Sequence, residues 1–156
     1  MTIAAILGID VTAQSTTPEF IPGQLGVVTD SNGTKIYKYL KYDDASAAVD
    51  GVAGEVVYYY TLDGYKNHVC TSDLSDSVEI GAGVIQANIA TETYGWFQIK
   101  GAATLTIGLT AGADGDPLTP TGAADGTLDV SSAATDNVCA IAGDISDKEI
   151  ICDFPF

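Results

Sequence analysis

Glu55 to Leu62, EVVYYYTL, is apolar at both parities of a strand, and no other stretch constrains the fold as tightly. Successive strand side chains point to opposite faces, so such a segment is stable only with both faces covered. The chain must therefore build a layer on each side of it. The octet Tyr94 to Gly101, YGWFQIKG, makes a similar demand: Phe97 and Ile99 share one face, and Tyr94, Trp96, Gln98 and Lys100 share the other. Trp96, the single tryptophan, cannot share the Phe97 core. It belongs in a second packed layer, in a subunit interface, or on a sugar-stacking or coat-contact surface.

Period-two segments separated by turn residues recur along the rest of the chain. Leu25 to Thr29, the turn Asp30 to Gly33, and Thr34 to Tyr42 form a hairpin signature, with Asn32-Gly33 suited to a tight turn. Further strands are predicted at His68 to Thr71, Gly83 to Ile89, Thr104 to Thr110, Asn137 to Ala142 and Lys148 to Phe154. The last places Ile150, Cys152 and Phe154 on one side. Asp43 to Asp50 reads as the one helical turn, with Asp43 or Asp44 as N-cap. About nine short strands with Gly and Asp turns predict an all-β fold, a single β-sandwich or barrel-like domain over residues 25–156. Residues 1–24, with Pro18 and Pro22 and no clear period, predict an extended N-terminal arm. A chain of 156 residues, 46% hydrophobic, suffices for one sizeable core.

Charge narrows the partners. Twenty-one acidic residues against six lysines and no arginine give a net charge of −15, which repels nucleic acid and anionic membrane. The amino terminus, MTIAAILGID, has no positive residue ahead of its apolar stretch, so no secretory signal is predicted. Cys70, Cys139 and Cys152 form neither a CxxC pair nor an even framework and read as buried free thiols. A Cys139–Cys152 bridge would require their strands to pair.

Chemistry-bearing residues are sparse. His68, the single histidine, and Cys70 would share a face on a strand, the geometry of a Cys-His couple, although an ordinary structural histidine is the favoured reading. Asp114-Gly115-Asp116, with Asp125 and Asp129, offers oxygen ligands but lacks the spacing and closing glutamate of a calcium loop, so turn formation is favoured. No catalytic residue, cofactor or metal site is expected. Lys35, Lys38 and Lys41 hold half the positive charge, interleaved with Tyr37, Tyr39 and Tyr42, whereas residues 101–147 carry seven acids and no lysine. The lysine strand suits contact with an acidic partner, another copy or a different subunit. A solvated edge whose lysines discourage aggregation is the favoured reading.

The order of these segments resembles the capsid decoration, or cement, proteins of tailed phages. The resemblance runs from about residue 20 to 156. It is carried by Leu25-Gly26 ahead of SNGTKIYKY, by GEVVYYY at Gly54 to Tyr60, and by GVIQANIATETYGWFQIKG at Gly83 to Gly101. GDPLTPTGAADGTLD at Gly115 to Asp129 and a closing strand pair complete it. It implies a non-enzymatic virion protein that is made in the host cytoplasm. Such a protein binds the outer surface of the capsid, often as a trimer, and holds neighbouring copies of the major capsid protein together. An arm carrying Ile3, Ile6, Leu7 and Ile9 would then order on the coat lattice, and Lys35, Tyr37, Lys38, Tyr39, Lys41 and Trp96 are further contact candidates. The reading from a different class is a β-sandwich adhesion or carbohydrate-binding module with exposed, coplanar aromatics.

Overall fold

The computed structural model describes residues 6–44, 48–61 and 63–156, and for Ile6 and Leu7 the backbone only. The chain is all-β. Its strands are β1 (Ile6–Leu7), β2 (Gln14–Ser15), β3 (Leu25–Asp30), β4 (Gly33–Tyr42), β5 (Val56–Tyr60), β6 (Val69–Thr71), β7 (Ser77–Ile85), β8 (Thr93–Thr104), β9 (Pro117–Thr119), β10 (Asp129–Val130), β11 (Ala140–Asp144) and β12 (Glu149–Asp153). A single helical turn, α1 (Gly64–Asn67), joins β5 to β6.

Five strands close on themselves. β4 pairs with β6 in parallel, and β6–β5, β5–β7, β7–β8 and β8–β4 are antiparallel, so the ring has no free edge. Its interior is filled by Leu40 and Tyr42 of β4, Val57 and Tyr59 of β5, Cys70, Ala82, Ile85, Ile89 and Phe97. The alternate side chains of β5, Val56 and Tyr58, point outward into a second core with Leu118, Ile150, Cys152 and Phe154. Val56 to Tyr59 are all fully buried, as a strand apolar at both parities requires.

β8 is the spine of the molecule. Its first half pairs with β4 inside the barrel, and its second half, Lys100 to Thr104, pairs with β12. β12 continues through β11 and β9 to β10, which makes an outer sheet covering the second core. Phe97 therefore enters the barrel while Ile99, two residues on, enters the second core. Gly83, at φ +149°, lies where β7 approaches β8, and a Cβ there would sit 3.0 Å from the Gln98 carbonyl oxygen.

The N-terminal segment lies against the barrel. β1 runs parallel to β3, with Ile6 opposite Gly26, and β2 pairs with Tyr94 and Gly95 of β8. Between and beyond these, Ile9, Val11 and Phe20 pack on Tyr37, Tyr39 and Trp96.

Several local expectations are corrected. The hairpin loop is Ser31-Asn32, closed by the Asn32 amide donating to Asp30 Oδ1, and Gly33 rather than Asn32 takes the positive φ. Thr104 to Thr110 is not a strand beyond Thr104. Its backbone bonds go to scattered carbonyls at Lys148, Gly54 and Leu128, although Leu105 is still buried between exposed threonines. Of the expected helical turn, residues 45–47 lie outside the described residues, and Asp43, Asp44 and 48–50 are non-helical. Asp44 instead accepts hydrogen bonds from Thr71 Oγ1 and the Val49 amide. β7 starts earlier than predicted and stops at Ile85, leaving Ile89 in an isolated bridge to Gly51.

Candidate functional site

Alternation along β4 sorts the lysine-tyrosine strand into two environments. Lys38 shares the inward parity of Leu40 and Tyr42, and it is only 3% exposed. Its ammonium donates to Tyr59 Oη at 2.8 Å and lies 5.2 Å and 5.0 Å from the ring centroids of Tyr59 and Tyr65. Burial, which takes the ammonium out of water, pushes its pKa down to about 8, with Cys70 acting more weakly the other way. Tyr65 comes from α1 and packs edge-on against Tyr59. Lys38 is thus a barrel residue rather than a contact for a partner.

The other two lysines stay near the surface and are paired within the chain. Lys35 faces Asp30 at 3.5 Å, and Lys41 pairs with Glu92 and with Asp43. Lys35 also borders a cleft of about 610 Å³ with Gln86, Gln98, Thr106 and Glu149.

Tyr37, Tyr39 and Trp96 form the outward layer on β4 and β8, buried beneath the N-terminal segment. Phe20 meets Tyr39 edge-on at 5.3 Å and Trp96 at 5.1 Å between centroids. Ile9 closes the layer over Gly26, where a Cβ would come within 2.5 Å of Ile9 Cδ1 and 3.1 Å of Trp96 Cζ3. Of the three places open to Trp96, the structure selects the second layer. At 3% exposure it presents no platform to a sugar, and neither Tyr37 nor Tyr39 is a surface contact. Ile9 is half-buried in the same layer; Ile3 and the side chains of Ile6 and Leu7 lie outside the described residues. Phe20, Val11 and Tyr65 are not found by strand periodicity, since they sit outside strands.

His68 and Cys70 do not form a couple. His68 takes a left-handed conformation (φ +59°) at the end of α1, so it leaves the strand before alternation applies. Its ring packs against Gly23, and its buried Nδ1 has no hydrogen-bond partner. Burial, with the nearby Lys38 charge, holds the imidazole below its usual pKa. Cys70 is sealed in the barrel, where it donates to the Lys41 carbonyl, and burial pushes its thiol well up. Cys139 and Cys152 are likewise buried and unbridged, with Cys152 raised to about 12 by burial. Thiolate chemistry needs the opposite shift.

The acidic turns engage backbone amides, two of them near in sequence and two far along the chain. Asp114 accepts from the Ile145 amide, Asp116 from Ala113, Asp125 from Leu74 and Asp129 from Val130. Among the described residues no three His, Cys, Asp or Glu side chains are grouped to hold a metal ion. Comparison of the chain with protein families, with curated proteins and with solved structures finds no match in any of the three.

Proposed function

We propose that this chain is a capsid decoration protein of a tailed phage, which binds the outer surface of the expanded head as a trimer and braces neighbouring copies of the major capsid protein. The observation that carries the reading is the role of Tyr94 to Gly101. The stretch on which the resemblance chiefly rests is the strand shared by barrel and outer sheet, so what the resemblance carries is scaffold. The placement of the reactive groups agrees with a structural role: the three thiols are buried, and the aspartates of the Asp-Gly turns accept hydrogen bonds from backbone amides, which tie separate loops together. A net charge of −15 keeps such a protein off packaged DNA while it accumulates in the host cytoplasm.

Co-sedimentation tests the proposal, using expanded heads stripped of their outer layer from the phage whose genome carries the sequence. The protein should pellet with heads and saturate at a fixed ratio to coat subunits, and it should ignore free coat subunits. Equal affinity for isolated subunits, or no pelleting with heads, contradicts the proposal.

A further inference from the structure

The second core is covered on its outer side by β9, β11, β12 and β8, and the opposite face of that sheet carries a row of apolar side chains. Register places Pro117 opposite Ile141, Ile141 opposite Ile151, and Ile151 opposite Ala102. All four are exposed, Ile141 at 44% and Ile151 at 51%. At the spacing of neighbouring strands the row is roughly 14 Å long. A cross-strand isoleucine pair is normally packed against something, and apolar surface grouped in this way marks an interaction site more often than scattered exposed residues do.

Charge decides what fits over it. Two residues either side of Ile151 on the same face stand Glu149 and Asp153, and Asp144 and Asp147 lie at the β11–β12 turn. The lysines near this rim are engaged: Lys35, which borders a cleft with Glu149, pairs with Asp30. Lys100 pairs with Asp153 and lies 4.7 Å from the centroid of the Phe156 ring, and Lys148 donates to the Thr106 carbonyl. A second copy would press the same acidic rim, from a chain of net charge −15, against this one. We infer that the outward face of the β9–β11–β12–β8 sheet docks a different protein, through an apolar ridge flanked by lysine or arginine. Only the name of that partner, the major capsid protein, rests on the proposed function. In a trimer this face then points to the coat, and the copies meet elsewhere.

The probe is a synthetic peptide of alternating leucine and lysine, titrated into the isotopically labelled full chain and followed by amide chemical shifts. Shifts should centre on Ile141, Ile151 and Ala102, and the double variant Ile141→Ser/Ile151→Ser should weaken binding about tenfold or more. Ala102→Glu, which adds bulk and negative charge in the row, should weaken it as well, and it serves if the double variant melts abnormally. Shifts spread over the acidic loops, or unchanged affinity in folded variants, overturn the inference. A variant that falls to a smaller species in sedimentation velocity also overturns it, since the occupant is then a second copy. With stripped heads, the variants should fail to pellet where the wild type pellets. If both pellet equally, this face is wrong and the head-binding reading stands. If the peptide maps to the row but the wild type ignores heads, the head-binding reading falls and the face stands.

Discussion

Lys38 and Trp96 show how much one position decides. Both stand where alternation can be read, and Trp96 follows it: excluded from the Phe97 side, it enters a separate layer with Tyr39 and Phe20. Trp96→Ala should cost about 3 kcal/mol in urea unfolding, the range for removing a large aromatic from a packed site. A loss below about 1 kcal/mol would mean that the layer is loose. Lys38 was legible only in part, because a lysine on a strand is solvated far more often than buried. Its inward parity, shared with Leu40 and Tyr42, was the available signal. Its folded pKa, about 8, lies below the unfolded value near 10.5, so the buried charge penalises folding fully below pH 8. The penalty is relieved as pH rises from about 8 toward 10.5. Relative to Lys38→Met, the wild type should therefore gain on the order of 2 kcal/mol between pH 7 and 10.5. Taking this difference cancels the titration of the thiols and tyrosines that Lys38 does not touch, Cys70 and Tyr59 being among those it does. A difference that does not move with pH would place the Lys38 ammonium in water.

Among the elements, β5 and the β3–β4 hairpin were readable because their patterns are local: a strand apolar at both parities, and two runs joined by a turn. Thr104 to Thr110 was not, since its perfect alternation describes burial, and burial needs no ladder. Leu105 is buried there while its amide bonds to Lys148, far along the chain. The short strands β1, β2, β9 and β10 carry no period and exist only because partners distant in the chain supply their hydrogen bonds. The N-terminal segment runs through turns and two short strands, and what its sequence did not disclose is its docking on β3, β4 and β8. Deleting residues 2–20 should strip the cover from Tyr39 and Trp96, red-shift tryptophan fluorescence and lower the melting temperature by several degrees, while the closed barrel still unfolds cooperatively. Unchanged fluorescence would place the arm away from Trp96. Gly26→Ala, which drives a methyl into Ile9 and Trp96, should reproduce a milder form of the same change.

For the whole molecule, a barrel and an outer sheet share one long strand, and the N-terminal segment and the C-terminal strand β12 are both tied to it. Such cross-bracing suits a protein that must carry load rather than move. The outer sheet leaves one face apolar and acid-rimmed, which gives the scaffold a direction. If the chain clamps coat subunits together, the energy of binding must appear as resistance of the head to internal DNA pressure. The direct measurement is the temperature at which DNA-filled, stripped heads release their DNA, read with a dye that fluoresces on free DNA, with and without saturating protein. Release should move several degrees higher when the protein is bound. An unchanged release temperature at saturation would contradict a role in bracing the coat.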